Sequence, residues 1–246
     1  MNLYIDVGNT ATKFAVDDNA GIKHIRTIDT SKIVDDDSVL NLLELEGLED
    51  VYVSSVVPLA SKNIEKYFQR KYNVTPTLIS PLDESGVTIS IDNQDELGAD
   101  LLCDLAGAKA LFGYPLLVVD LGTATKFLLI DDKGVFSTCA IIQGLELSLR
   151  NLAQNTALLP MLSFDEVKPL LENRNTKDVL VSSAYYSHVD MINGMVARYK
   201  KEVGYPLKVV LTGGNIKNIK KDLDFEYETK DYLCLLGIKV IVNLRK

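Results

Sequence analysis

The chain opens on an apolar, β-branched run at residues 3–7. Similar runs at 12–16 and 24–28 follow, separated by Gly8-Asn9 and by Asn19–Gly21. Short apolar runs punctuated this way predict three strands joined by tight turns. Leu40, Leu42 and Leu43 give an apolar face to a helix near residues 31–45. Residues 51–57 predict a buried strand, 59–72 a helix and 75–79 a further strand. Asp100 lies at the predicted start of a helix, LLCDLAGAKALF.

The pattern then restarts. Strands are expected at 116–120, 125–131 and 134–142, a helix at 145–157, and a long helical region at 177–202. A strand at 207–211 ends on Gly213-Gly214, and a last helix is expected at 230–243. Strands alternating with helices after an opening meander predict an α/β fold with mixed sheets. The restart suggests a boundary at Gly113-Tyr114-Pro115, giving domains of residues 1–113 and 114–246.

The repetition extends to the letters. DVGNTATK at 6–13 is echoed by DLGTATK at 120–126, each between two strand-like runs. Internal similarity of this kind indicates a duplicated unit. In each copy an aspartate ends the first strand and a glycine follows two residues later. Glycine allows backbone N–H groups to approach an anion, and threonine hydroxyls add donors. Lys13 would add positive charge near terminal phosphates, and Asp6 and Asp120 offer the oxygen ligands that hard cations prefer. VVLTGGN at 209–215 brings bare backbone to a surface where an adenine or ribose can lie, while Asn215 can also cap a following helix. Either loop alone reads equally well as a hairpin turn; the pair favours a nucleotide cradle.

Composition narrows the function classes. The 246 residues are 47% apolar and carry a formal charge of −8, with no Lys/Arg block longer than a pair. Such a chain can bury a large core and argues against a nucleic-acid partner. No run approaches the length of a membrane span. Cys103, Cys139 and Cys234 lie far apart, without CxxC spacing, each in an apolar run. All three are expected in the core of a protein from a reducing, cytoplasmic setting. His24 and His188 form no ligand pair.

DVGNTATK, LGAD at 97–100, DLGTAT at 120–125, GLELSLRNLAQNTALLP at 144–160 and Asn175-Thr176 together resemble type III pantothenate kinase. That family lies within the acetate and sugar kinase, Hsp70 and actin superfamily. The resemblance implies two ribonuclease H-like (actin-like ATPase) domains, with mixed sheets flanked by helices, in a homodimer. It implies phosphorylation of pantothenate by ATP with Mg²⁺, the first step of coenzyme A biosynthesis, and a monovalent cation, potassium or ammonium. Carried onto this chain, ATP would meet Asp6, Val7, Gly8, Asn9, Thr10, Ala11, Thr12, Lys13, Thr123, Gly213 and Gly214. Asp100 would be the general base and Asp120 would ligate the monovalent ion. Gly98, Ala99, Asp100, Leu101 and Thr176 would line the pantothenate site.

The chain departs from the family pattern in places. Ile91 stands where a tyrosine is usual, Gln94 where a proline is usual, Leu101 for an arginine and Lys126 for a threonine. The loss of a planar guanidinium removes a donor fork suited to a carboxylate. Two alternatives to a pantothenate kinase therefore stay open: a non-catalytic nucleotide-binding or regulatory relative, and a kinase or phosphohydrolase for another small acceptor. Arg150 would serve a dimer contact or the acceptor carboxylate, or form with Asn151 a solvated or interdomain pair.

Overall fold

A computed structural model describes residues 1–18, 21–164 and 166–245. By compactness the chain divides into two units. The first holds Met1–Tyr114, Asp132–Thr138 and Tyr232–Lys246; the second holds Pro115–Asp131 and Cys139–Asp231.

In the first unit β1 (Asn2–Val7), β2 (Ala11–Asp18) and β3 (Gly21–Asp29) form an antiparallel meander. The expected break at Asn19–Gly21 falls largely outside the described residues. Helix α1 (Thr30–Asp35) is only six residues long and is followed by a 3-10 turn at Asp37–Leu42. One helix over 31–45 was expected. Asp36 interrupts it: its backbone is extended and its carboxylate accepts the Ser38 N–H at 2.9 Å, capping the next turn instead of continuing the first. Then come β4 (Asp50–Ser55), α2 (Pro58–Tyr72), the short β5 (Thr77–Leu78) and β6 (Thr88–Ile89), and α3 (Ala99–Phe112). β4 pairs parallel to β1, and β5 parallel to β4, so the sheet order is β3-β2-β1-β4-β5.

The second unit repeats that plan. β7 (Leu116–Leu121), β8 (Ala124–Ile130) and β9 (Val135–Gln143) are followed by α4 (Leu145–Gln154), the 28-residue α5 (Thr176–Val203), β10 (Lys208–Thr212), α6 (Ile216–Ile219) and β11 (Glu228–Thr229). The strands of this six-stranded sheet run in the order β11-β10-β7-β8-β9-β6, with β7 antiparallel to β8 and parallel to β10, and β6 pairing parallel to β9 at the edge. Leaving aside β6, both orders read 3-2-1-4-5 from each first strand, with strands 1 and 2 antiparallel and strands 1, 4 and 5 parallel. Both are ribonuclease H-like mixed sheets, and the duplication visible in the letters is a duplication of topology.

The final helix α7 (Leu233–Leu244) belongs to the first unit, where it packs on α3 and on β1. Each unit has its own core. Leu3, Ile5, Phe14, Val53, Ile64 and Phe68 anchor the first, and Leu117, Val119, Phe127, Ile192, Val209 and Leu211 anchor the second. Cys103 and Cys234 are buried as expected, but Cys139 is exposed. It shares a face of β9 with Ile141, which is also exposed, because alternate residues of a strand point to opposite faces and nothing covers this one within the second unit.

Candidate active site

The β1–β2 turn holds the first loop. Gly8 donates its N–H to the Ala11 carbonyl at 3.1 Å, which leaves Asn9 and Thr10 exposed at the apex. Thr30 braces the turn from the start of α1: its N–H donates to the Thr10 carbonyl at 3.0 Å and its hydroxyl to the Gly8 carbonyl at 2.7 Å. That hydroxyl has one proton, so in its 3.0 Å contact with Thr12 it is the Thr12 hydroxyl that donates. Thr12 and Val7 are therefore not presented to a ligand. Both side chains are buried, and any contact they make with a phosphate has to come from the backbone. Ala11 is half-buried.

Beneath the turn, three side chains meet in register across three strands. Asp6 on β1 is opposite Lys13 on β2 and beside Ser54 on β4. The Lys13 ammonium lies 3.1 Å from the Asp6 carboxylate. The Ser54 hydroxyl is buried and, with Asn173 Oδ1, is left without a hydrogen-bond partner among the described residues.

Asp100 lies in the first turn of α3, whose N-cap is Gly98. A side chain at position 98 would meet the Asp100 carboxylate, since an added Cβ would stand 2.5 Å from Asp100 Oδ1. The glycine therefore leaves room for the carboxylate to fold back over the helix N-terminus. Gly98 and Asp100 are half-buried. Ala99 and Leu101 are buried, Leu101 being only 7% exposed. One turn further on, Cys103 and Asp104 approach the Asp6 region through Cys234 of α7. Contact with the Cys103 thiol and full burial push the Cys234 thiol up, and the Asp6 and Asp104 carboxylates add to this. Cys234 of α7 thus feels the charge of both Asp6 on β1 and Asp104 on α3.

The second loop repeats the first with one residue fewer. Asp120 on β7 is opposite Lys126 on β8 and beside Thr212 on β10. The Lys126 ammonium lies 2.8 Å from the Asp120 carboxylate, and both side chains are largely buried. Gly122 closes the turn by donating to the Ala124 carbonyl at 3.2 Å, and Thr123 stands exposed at the apex. Here the bracing is mostly backbone. The Gly144 N–H donates to the Thr123 carbonyl at 3.0 Å, the Asn215 N–H to the Leu121 carbonyl at 3.0 Å, and the Asn215 side chain to the Gly122 carbonyl at 3.3 Å. Gly213 sits at φ +99°, and a Cβ there would stand 2.6 Å from the Leu121 backbone. Only glycine fits, and Gly214 beside it is exposed. Asn215 thus ties this segment to the loop. It makes no side-chain cap on α6, the role its sequence also allowed.

Two further residues frame this unit. His188 on α5 is buried against the Thr125 hydroxyl at 3.0 Å, and burial lowers its pKa to about 4, so the ring is neutral near pH 7. Thr176 is exposed in the first turn of the same helix, beside Asn175, which caps it by accepting the Asp178 N–H at 2.9 Å. The Lys168 ammonium holds the Asp178 carboxyl below its ordinary range. Thr176 precedes His188 by twelve residues, about 18 Å along the helix axis. Within this unit α5 therefore does not bring Thr176 to the second loop. Arg150 is exposed on α4.

Sequence reasoning missed Ser54, Thr30 and the pairing of Lys126 with Asp120. The last of these had a signal, because a lysine closes both copies of the repeated motif. Thr30 had none, since it lies far from the loop in sequence and its bond is visible only in the fold.

A family model described as type III pantothenate kinase matches residues 2–198. A type III pantothenate kinase from Halalkalibacterium halodurans is 31% identical over 250 residues, covering 98% of this chain and 98% of the relative. One from Myxococcus xanthus is 33% identical over 250 residues, covering 98% and 97%. A solved structure from Campylobacter jejuni, described as a conserved putative Baf family transcriptional activator, aligns with a TM-score of 0.60 at 16% identity. It covers 99% of this chain and 98% of that one, a likeness of fold alone.

Proposed function

The chain belongs to the type III pantothenate kinase family, and we propose that it transfers the γ-phosphoryl group of ATP to the hydroxymethyl oxygen of pantothenate. One observation carries the reading: a strand–loop–strand unit occurs twice, each time with an aspartate, a lysine and a hydroxyl in register below the loop. Phosphoryl transfer asks mainly for alignment and charge stabilisation. The N–H groups of Asn9 and Thr10 and the hydroxyl of Thr10 would hold phosphate oxygens, with Lys13 supplying positive charge. Thr123 would do the same from the second loop. The bare backbone of Gly213 and Gly214 would take the nucleoside. Asp100 would orient the acceptor hydroxyl and receive its proton late in the transfer.

The residues fit a divalent ion carried in on the nucleotide. Asp6 and the buried Ser54 hydroxyl beside it are hard donors, but Lys13 shares the Asp6 carboxylate at 3.1 Å, so the ion would be held chiefly by the phosphates that carry it in. Bound Mg²⁺ would neutralise charge on the phosphates. The fit to a separate monovalent ion at Asp120 is poor. Lys126 already occupies that carboxylate, and two unit positive charges about 4 Å apart repel by about 4 kcal/mol at a protein's effective dielectric.

The homodimer is supported by exposed apolar side chains in the second unit, among them Ile141, Met161, Leu158 at 92% exposed and Leu171 at 89%. Three free cysteines support a reducing, cytoplasmic setting. Among the described residues no helix is long and apolar enough to cross a membrane. The acidic charge balance supports a small-molecule substrate rather than nucleic acid.

A second reading, a different hydroxylated acceptor on the same loops, is favoured by one observation. Leu101 is buried where the family pattern has an arginine, so this position offers no donor to a carboxylate. A coupled ADP assay with Mg-ATP separates the two. Pantothenate-dependent ADP release is expected. Release that depends on another hydroxylated metabolite, and not on pantothenate, would replace the first reading with the second.

A further inference from the structure

We infer that Lys126 is a built-in replacement for a monovalent cation, so that nucleotide binding and turnover in this protein need neither potassium nor ammonium. The inference rests on the reading of the second loop as a phosphate-binding loop. Its ammonium stands 2.8 Å from the Asp120 carboxylate, and the two side chains are only 17% and 13% exposed. The contact is set by the fold, because Asp120 and Lys126 are directly opposed in the β7–β8 ladder. The first unit builds the same pair from Asp6 and Lys13 at the equivalent register. A pair that recurs on equivalent strands of a duplicated unit is part of the unit's design, unlike an incidental surface ion pair, which contributes little.

The chemistry of the site points the same way. A free cation at Asp120 would have to share its carboxylate with a fixed ammonium. It would also need several further oxygen ligands. Among the described residues no group of three or more histidine, cysteine, aspartate or glutamate side chains is placed to hold a metal ion. The ammonium of lysine carries the same charge as potassium. It is covalently held, so it needs no ion from solution. Lys126 acts here as a positioning residue: it fixes the Asp120 carboxylate and supplies the charge under the loop without touching the transferred group.

The test compares the wild type and Lys126→Thr in choline buffer and in potassium or ammonium buffer, with two readouts. The first is calorimetric binding of Mg-ATP; the second is the rate of pantothenate-dependent ADP release. The wild type should show the same affinity and rate in every salt. Lys126→Thr should fall by roughly a hundredfold in choline and recover with potassium or ammonium. A purely structural role for Lys126 would give no such rescue. Three results would overturn the inference: a wild type strongly stimulated by potassium, a variant unaffected in choline, or a folded variant that potassium does not rescue. If the variant does not fold, the wild-type titration alone decides. If no pantothenate-dependent turnover occurs in any salt, the kinase reading fails, while the nucleotide titrations still decide the role of Lys126.

Discussion

The β1–β2 turn is braced by side-chain hydroxyls as well as by the Thr30 and Val56 N–H groups. Thr30 bonds to Gly8, Thr12 donates to Thr30, and on the neighbouring β4 end Ser61 donates to Ser55 at 2.6 Å while Ser55 accepts the Val57 N–H at 3.1 Å. The β7–β8 turn has the same charges beneath it but is braced largely by main-chain groups, from Gly144, Asn215 and the close-lying Gly213. Where the first unit has Ser55-Val56, the second has Gly213-Gly214. The difference teaches how one duplicated unit takes two roles. Hydroxyl bracing fills the ground beneath the first loop. Glycine bracing strips side chains from the second and leaves its backbone bare. Each solution has its own weakness: the first is sensitive to removal of a hydroxyl, the second to addition of a methyl.

The largest expected effect lies on the acceptor side of the first unit. Asp100→Asn should lower turnover by about 10²–10⁴-fold with an unchanged melting temperature, as expected for loss of a general base. Gly98→Ala should lower turnover by up to about 10²-fold, because the new methyl displaces the Asp100 carboxylate without disturbing the core. Steady-state rates with parallel melting curves check both, and undiminished turnover in Asp100→Asn would remove Asp100 as the base.

Next in size is the contrast itself. Gly213→Ala imposes a Cβ on a positive-φ position against the Leu121 backbone. It should cost about 3 kcal/mol and weaken ATP binding. Ser55→Ala, at the equivalent place in the first unit, should cost only about 1 kcal/mol. Chemical denaturation of both variants tests this, and equal costs would break the distinction between the two kinds of bracing.

Burial lowers the pKa of a histidine in each unit, His24 in the first and His188 in the second, and the larger shift is in the second. The His188 pKa is lowered to about 4 from its ordinary 6.5, so the unfolded chain takes up the proton first. Stability is therefore fully present above about pH 6.5 and is lost as pH falls toward 4, by up to roughly 3 kcal/mol. Denaturation midpoints of the wild type and His188→Gln across that range should converge as pH falls. Parallel curves would contradict the assignment.

A small effect, of the order of the Ser55→Ala cost, is expected for Thr30→Val, which leaves the Gly8 carbonyl and the Thr12 hydroxyl short of a partner. It should cost about 1–2 kcal/mol and loosen ATP binding through the first loop only. Calorimetry with the variant measures both.

Much of this was legible in the letters because the loops are local. A strand, a turn and a strand lie within about twenty residues, and the echo of DVGNTATK in DLGTATK exposed the duplication before any strand order was known. What the letters hid was long-range. Short strands such as β5 and β11 owe their pairing to neighbours rather than to their own composition. Asp36 competed successfully with the helix by capping, so a continuous apolar face misread the break. Cys139 lies in an apolar run, yet the face of β9 that carries it has no cover in its own unit. Lys126 was visible as a departure in the motif, but only the strand register shows that it meets Asp120.

The account turns on whether these loops move a phosphoryl group to pantothenate. The most direct measurement is product stoichiometry: the purified protein is incubated with Mg-ATP and pantothenate, and ADP and phosphorylated pantothenate are quantified together. Equimolar appearance of the two, and none without pantothenate, is predicted. ADP formed at the same rate with or without pantothenate, or no phosphorylated pantothenate at all, would contradict it.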